Sequence, residues 1–312
     1  MMKRCIFLMT VLFTWALLSA PARAALACEA DMVLLDFGMI SLRDGFPQQT
    51  SGPVTILCAG GAPFTTIQAC MEIGSGSGGA GAGQSPRYMT RDGTAPLSYQ
   101  LTAQNFFSSG GRAWETVGYA VPLDANGSAT ITSTLYAEVT SIGALSTTGH
   151  YISNFASGSD TRLSFGLEKC DRSGAASAFT VSADVTTSCM ISVSNMDFGL
   201  INTAIITPID QTSIIEVSCT NASPYTISID SGLNPMGAGP MARRMVNGTN
   251  LLAYGLYHNL SRTSDWGIMP ATVAAGTGTG RPQALTVYGR IFGNQSTSIG
   301  SYSDSVIVTV SY

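Results

Sequence analysis

Cysteine is the residue type whose number and spacing in this chain most clearly indicate chemistry. The sequence has seven cysteines, and six of them follow the N-terminal leader: Cys28, Cys58, Cys70, Cys170, Cys189 and Cys219. The first two and the last two are each thirty residues apart, so each pair is predicted to form a disulfide within its own half of the chain. The middle two have no counterparts and are predicted to bond to each other. An even number of cysteines in an exported chain supports this interpretation.

Metal binding and catalysis are poorly supported by the remaining polar residues. No CxxC occurs, and the two histidines, His150 and His258, are far apart in the sequence, whereas zinc sites need closely spaced ligands. Asp36 and Asp197 each stand two residues before a glycine, where an aspartate typically bonds its own backbone in a turn. No combination of nucleophile, base and orienting group is recognisable. We therefore predict no metal, no cofactor and no enzymatic activity.

The chain contains two copies of one sequence pattern. Cys28 begins CEADMVLLDFGMI and Cys189 begins CMISVSNMDFGLI, at an offset of 161 residues. The same offset relates two short segments, Pro63-Phe64-Thr65 and Pro224-Tyr225-Thr226. A period of this length is too long for a solenoid repeat and indicates two homologous domains.

Residues 1–24 form a predicted signal peptide, with cleavage after 24 to 27. Two basic residues precede an apolar run, and small residues follow it at the cleavage site. The apolar run is short for a bilayer span, so export without a transmembrane segment is expected. Lipid attachment at Cys28 is the alternative, but Ala25 stands where lipoprotein signals usually have Leu, and the repeat favours a disulfide at Cys28.

Composition and periodicity predict an all-β protein. Charged residues make up 11% of the chain and the net charge is −4, so no basic surface for nucleic acid is expected. Apolar and polar side chains alternate in Phe179–Val185 and in the last residues before Tyr312, as they do in strands. We predict two tandem immunoglobulin-like β-sandwiches, with Trp114 and Trp266 at matching positions in their cores.

The boundaries follow from the repeat and its cysteines. The first domain is predicted at 25–171, a linker and the first strand of the second domain at 172–188, and the second domain at 189–312.

The second domain is expected to lack its last strand. Its final strand runs to Tyr312, and an apolar strand edge left bare is an aggregation hazard. We expect a groove that accepts a strand from another chain, lined by four alternating residues: Val306, Val308, Val310 and Tyr312. Phe179–Val185 has the alternation of such a donor strand, and the sequence leaves open which domain it completes. With no donor strand ahead of Cys28, the chain is expected to begin a row of subunits rather than to sit within one.

Several of these features together resemble the spore coat protein U family. They are the early Cys, the Asp-Phe-Gly segment, the second Cys thirty residues after the first, the VYGRI segment at 287–291 and the ending G-x-Y-x-D-x-V-x-V-x-V-x-Y at 300–312. Residues 189–312 carry the pattern closely, and residues 28–170 carry it as a diverged copy with insertions. The family includes subunits of archaic, Csu-type chaperone–usher pili, and its two-domain members resemble tip adhesins.

The resemblance implies a tip subunit that mediates surface attachment and biofilm formation. It implies an adhesin-like first domain and a second, pilin domain joined to the next subunit by donor-strand complementation. The implied partners are a periplasmic chaperone, an outer-membrane usher, the adjacent pilin subunit and an abiotic or host surface. The implied location is the cell surface or the exterior, reached through the periplasm. The alternatives are a non-adhesive structural coat or adaptor subunit and a secreted carbohydrate-binding module.

Apolar residues in loops of the first domain are the candidates for the adhesive surface, because an exposed apolar patch on a soluble domain usually marks a contact. The candidates are Phe46, Phe106, Phe107, Ile142, Leu145, Ile152 and Phe155. For each of them, a position in the core is the alternative interpretation.

Overall fold

The computed structural model describes residues 25–312 except 42, 45, 93–95, 105–112, 202–203 and 238–242. The strands of the first half are β1 (Ala27–Met32), β2 (Leu35–Ile40), β3 (Gln48–Ala59), β4 (Thr66–Ile73), β5 (Arg87–Met89), β6 (Leu97–Thr102), β7 (Thr116–Pro122), β8 (Ala129–Val139), β9 (Gly149–Phe155), β10 (Thr161–Gly166), β11 (Arg172–Ala176) and β12 (Phe179–Val185). Those of the second half are β13 (Cys189–Val193), β14 (Ile209–Cys219), β15 (Pro224–Ile229), β16 (Arg244–Asn247), β17 (Asn250–Tyr257), β18 (Ala274–Thr277), β19 (Gln283–Ile291) and β20 (Val308–Ser311). A short 3-10 helix lies at Ala82–Gln84. Within these described ranges, no helix is long and apolar enough to cross a membrane.

The protein is nearly all β, in two tandem domains, as the sequence predicts. In the first domain, a nine-stranded sheet in the order β5-β6-β8-β3-β1-β11-β10-β4-β7 faces a three-stranded sheet in the order β2-β12-β9. In the second, a five-stranded sheet in the order β13-β14-β19-β17-β16 faces a three-stranded sheet in the order β18-β15-β20. Alternating burial along the strands, as in β4 and β15, turns every second side chain toward the core.

Two of the three disulfides join equivalent strands in the two domains. Cys28–Cys58 joins facing positions of β1 and β3, and Cys189–Cys219 joins facing positions of β13 and β14, each with a Cα–Cα distance of 4.1 Å. The third disulfide, Cys70–Cys170, connects β4 to the loop between β10 and β11. These three pairs are the ones expected from the sequence.

A buried arginine anchors the core of the first domain. The Arg87 guanidinium donates hydrogen bonds from Nη2 to the carbonyls of Ile73 and Trp114, at 2.7 and 2.5 Å, and from Nε to the carbonyl of Gly74 at 2.8 Å. Burial lowers the pKa of Arg87 to about 10, which still leaves the side chain charged at neutral pH. The indole Nε1 of Trp114 donates to the carbonyl of Met71 at 3.2 Å.

The second domain repeats this arrangement. Nη2 of Arg243 donates to the carbonyls of Ile229 and Trp266, at 2.9 and 2.7 Å, and Nε1 of Trp266 donates to the carbonyl of Ile227 at 2.9 Å. Trp114 and Trp266 are both buried, as predicted. The matching contacts also make Ile73 the counterpart of Ile229, and therefore β4 the counterpart of β15.

Strands β11 and β12 belong to the first domain, which corrects the predicted boundary. Residues 172–188 were expected to be a linker and the first strand of the second domain. Instead β11 pairs with β1 and β10, and β12 pairs with β2 and β9. Four side chains of β12 are buried in the first core: Phe179, Val181, Ala183 and Val185. Only residues 186–188 remain as a linker, because the apolar face of β12 is covered by the first domain.

Candidate functional site

The last two strands of the first domain, β11 and β12, each lie between two other strands of a sheet. β11 lies between β1 and β10, parallel to β1 and antiparallel to β10. The chain then crosses to the other sheet, where β12 lies between β2 and β9, parallel to β2 and antiparallel to β9. Residues 172–185 therefore supply two consecutive strands, and each of them completes one of the two sheets.

In the part of the chain that the structure describes, the second domain has the elements that flank β11 and β12 in the first domain, but no strand between them. β13 is the counterpart of β1, and β20 is the counterpart of β10, since Val310 faces Ile227 as Leu163 faces Met71. Among the described residues, β13 pairs only with β14, and β20 pairs only with β15. We call this side of the second domain the open edge, and it comprises β13, residues 196–201, residues 302–306 and β20.

Side chains at the open edge are more exposed than their counterparts in the first domain. Val306, Val308 and Val310 pack against the second core but are only partly buried. Tyr312 is 49% exposed. The segments at 196–201 and 302–306 have no strand assignment, whereas their counterparts β2 and β9 are strands. The lack of regular structure follows from the missing partner, because each segment loses one side of its hydrogen-bonding ladder.

Two aspartates mark the same turn in both domains. Asp36 Oδ1 accepts a hydrogen bond from the backbone N of Gly38 at 3.1 Å, and Asp197 Oδ1 accepts one from Gly199 at 2.8 Å. Both glycines have positive φ, 65° and 78°, and thus suit the turn. The two aspartates have the structural role that the sequence predicts. Asp36 also accepts a hydrogen bond from Ser182 of β12 at 2.8 Å.

Three of the predicted adhesive residues lie against the core instead of on the surface. Ile142 and Phe155 are buried, and Phe155 stacks on Phe179 of β12 with 4.3 Å between ring centroids. Phe46 is half-buried and packs on the first core. Their burial corrects the prediction for these residues: an apolar side chain beside a loop can close the end of a sandwich as readily as it can contact a ligand.

The other predicted adhesive residues have different positions. Ile152 is half-buried on β9 and bridges Thr90. Leu145 is 69% exposed. Phe106 and Phe107 lie outside the described residues.

The loop that carries Leu145 faces the second domain. The carbonyl of Leu145 accepts a hydrogen bond from Asn221 Nδ2 at 3.1 Å, and Thr147 forms a β-bridge with Asn221. The linker is fixed beside it, because Ser188 and Thr220 are buried and the backbone N of Thr220 donates to the carbonyl of Ser188 at 3.0 Å. This loop is therefore part of the junction between the domains.

The end of the first domain farthest from the junction presents apolar side chains that the sequence analysis missed. β12 runs toward the linker, so the loops at 60–65, 124–128 and 167–171 lie at the opposite end. Phe64 is 80% exposed and Leu167 is 65% exposed in these loops. We call these two residues and their loops the distal surface.

The distal loops are held in place by backbone hydrogen bonds. Gly61 donates to the carbonyl of Gly127 at 3.0 Å. The Asp124 carboxylate accepts from the backbone N of Ser128 and Asn126, at 2.9 and 2.8 Å, and these bonds lower its pKa. The exposed phenyl ring of Phe64 therefore belongs to a turn whose backbone is fixed by hydrogen bonds.

The described residues hold no group of three or more potential metal ligands. His150 lies 2.9 Å from Asp184 in an exposed pair, and it has no counterpart histidine in the second domain.

The comparisons with known proteins agree with this architecture. The family model for the spore coat protein U domain matches residues 14–156 and 175–309. Protein U of Myxococcus xanthus is 31% identical over 118 residues, which are 36% of this chain and 66% of that protein. The second family match begins within β11, so the sequence unit includes a strand that folds into the preceding domain.

Comparison with solved structures gave two matches over most of the chain, and the first of them is similar in fold. The first is the CsuC–CsuE chaperone–tip adhesion subunit pre-assembly complex from archaic chaperone–usher Csu pili of Acinetobacter baumannii. It matches with a TM-score of 0.52 at 16% identity and covers 92% of this chain and 100% of that chain. The second is the CupB6 tip adhesin from Pseudomonas aeruginosa, with a TM-score of 0.34 at 12% identity over 92% of this chain and 94% of that chain.

Proposed function

The chain belongs to the spore coat protein U family, and on that premise we propose that it is the tip subunit of a chaperone–usher pilus. It is exported through the periplasm, held there by a chaperone, assembled through an outer-membrane usher, and joined to the next subunit by donor-strand complementation. Its first domain contacts an abiotic or host surface and supports attachment and biofilm formation.

The difference between the two domains carries this proposal. The first domain is complete because residues 172–185 fill both of its sheets, and the second presents the open edge at the equivalent place. A subunit at the end of a fibre needs one complete domain and one domain that accepts a strand from the next subunit, and this chain has both. Donor-strand addition satisfies the bare backbone groups of β13 and β20 and covers the apolar side chains between them.

The distal surface is the proposed site of attachment. It lies at the end of the first domain opposite the junction, and therefore points away from the fibre when the open edge receives the next subunit. Exposed Phe64 and Leu167 suit an apolar target, since exposed apolar patches on soluble domains usually mark contacts. The proposal moves the adhesive site away from the loops first predicted from the sequence.

Co-expression with a chaperone tests the subunit role. We expect the mature chain to be recovered as a soluble species in high yield with a periplasmic chaperone of a chaperone–usher system, and in much lower yield when it is expressed alone. Recovery of a monomer whose second domain unfolds cooperatively at high temperature without any partner would overturn the donor-strand part of the proposal.

Labelling tests the tip role separately. An epitope tag inserted after the distal loop residue Asn126 is expected to be found at one end of each fibre by immunogold electron microscopy. Label along the shaft would instead indicate a structural coat or adaptor subunit.

A further inference from the structure

We propose that the strand which completes the open edge has the residue pattern and the orientation of residues 172–185 of this same chain. The inference rests on the proposed function, because it names the kind of segment that the open edge accepts. β11 runs parallel to β1 and antiparallel to β10. The partner strand accordingly runs parallel to β13 and antiparallel to β20, with its first residues beside the Cys189–Cys219 disulfide.

The part of the partner strand beside the disulfide must consist of small residues. Gly174 faces Leu163 in the ladder, and a Cβ at Gly174 would lie 2.5 Å from the carbonyl oxygen of Cys28 and 2.9 Å from Cδ2 of Leu163. At the open edge, the equivalent groups are the carbonyl of Cys189 and the side chain of Val310. Valine is shorter than leucine, but the backbone carbonyl is the same group in both domains. We therefore expect a glycine opposite Val310.

The rest of the partner strand must be apolar on one face. Phe179 stacks on Phe155, and Val181, Ala183 and Val185 continue the buried face of β12. The counterpart of Phe155 is Val306, since Ile152 bridges Thr90 as Ser303 bridges Val246, three residues earlier in each case, and valine is smaller than phenylalanine. A large apolar residue is thus expected five positions after the glycine, followed by apolar residues at every second position.

One hydroxyl completes the pattern. Ser182 donates to Oδ1 of Asp36 at 2.8 Å, and Asp197 is the equivalent acceptor at the open edge. A serine or threonine three positions after the large apolar residue is expected to reach the Asp197 carboxylate. A random apolar strand offers neither this hydroxyl nor the glycine, so the two positions set specificity.

The test supplies the strand in cis to the full mature chain. A second copy of residues 166–185, with Cys170→Ser in the copy, is fused directly after Tyr312. Tyr312 follows Val310 by two positions as Phe165 follows Leu163, so the copied loop has the length that already connects β10 to β11. The matched variants of the copy are Gly174→Val, at the crowded position, and Ala175→Val, which changes an exposed neighbour. Thermal unfolding and hydrogen exchange of β13 and β20 are measured for the parent and for each fusion.

The fusion is expected to raise the Tm of the second domain by more than about 10 °C and to protect β13 and β20. Ala175→Val should keep the increase, and Gly174→Val should remove most of it. Equal stabilisation by both variants, or by a fused strand of alternating Val and Thr without glycine, overturns the inferred pattern but leaves the open edge as an acceptor. If no fused strand stabilises the second domain, or if the parent is already as stable as the fusion, the donor-strand function itself is wrong.

Discussion

Phe64 and Ala222 occupy the same left-handed position in matching turns, with φ angles of 57° and 60°. The backbone N of Phe64 donates to the carbonyl of Asp124, and the backbone N of Ala222 donates to the carbonyl of Gly278, which lies at the equivalent position between the neighbouring strands. A phenyl ring at a positive φ, 80% exposed to solvent, contributes little to the fold. Its counterpart in the second domain is an alanine at the junction, so the turn itself does not require an aromatic residue.

Phe64→Ala should reduce attachment without reducing stability. Because the ring is exposed, we expect the Tm of the first domain to change by no more than about 2 °C, while retention of the protein or its fibres on an apolar surface such as polystyrene falls several-fold. Leu260→Ala, at a position of the second domain that is 70% exposed, is the matched control and should keep attachment. Unchanged attachment of the Phe64→Ala, Leu167→Ala double variant would rule out the distal surface.

Val308→Asp should abolish assembly. Val308 is partly buried at the open edge, and a donor strand would bury it further, so that an aspartate there would lose its hydration without gaining a partner. Ile307→Asp is the matched control, because Ile307 is exposed on the other face of the same segment. Incorporation into fibres, measured by immunoblotting of sheared pili, is expected to be lost for the first variant and kept for the second. Loss in both would point to a general folding defect instead.

Arg87→Met should destabilise the first domain by at least about 3 kcal/mol. The substitution leaves the buried carbonyls of Ile73, Gly74 and Trp114 without their donor, at a cost of roughly 1–3 kcal/mol each. Arg162→Met breaks an exposed ion pair with Glu72 at 3.4 Å and an exposed hydrogen bond from Nε to the carbonyl of Gly158 at 3.0 Å, and it should cost less than about 1 kcal/mol. Denaturant unfolding of the mature proteins measures both, and similar values for the two would contradict the anchoring role.

Removing the Cys70–Cys170 disulfide should loosen the strand that completes the first domain. The bond closes a loop with a sequence separation of 100, for which the chain-entropy model gives about 4–5 kcal/mol. It also holds the loop that leads into β11. In Cys70→Ala, Cys170→Ala, we expect faster hydrogen exchange in β11 than in β3. The same double substitution at Cys189 and Cys219 should leave exchange in β11 unchanged.

The boundary of the first domain can be tested with fragments. A fragment of residues 25–188 contains β11 and β12 and is expected to fold alone with a cooperative transition. A fragment of 25–171, which stops at the boundary predicted from the sequence, lacks the four buried side chains of β12, worth roughly 1.5–3 kcal/mol for each large one. It should be unfolded or aggregated. Equal stability of the two fragments would show that β12 is dispensable to the first domain.

The sequence by itself was sufficient for features that depend on local chemistry or on the repeat. Alternation predicts strands because side chains on a strand point to opposite faces in turn, and Phe179–Val185 is indeed a strand. The pairing of four cysteines follows from their equal spacing in the two copies, and Cys70 and Cys170 remain to pair with each other. An aspartate two residues before a glycine predicts the turns at Asp36 and Asp197, because the side chain bonds a backbone group only two positions away.

Only the tertiary structure decided which strands pair with each other and which apolar side chains are exposed. Alternation tells which face of Phe179–Val185 is apolar but not which core covers it, because pairing depends on elements distant in sequence, here β2 and β9. The linear offset likewise aligned Phe64 with Tyr225, which is buried, although the turn geometry matches Phe64 with Ala222. Ile142 and Phe155 look like loop residues in sequence, yet both are buried in the core of the first domain, where Phe155 belongs to β9 and stacks on Phe179. In each case the deciding interaction is long-range packing, which no local pattern of residues encodes.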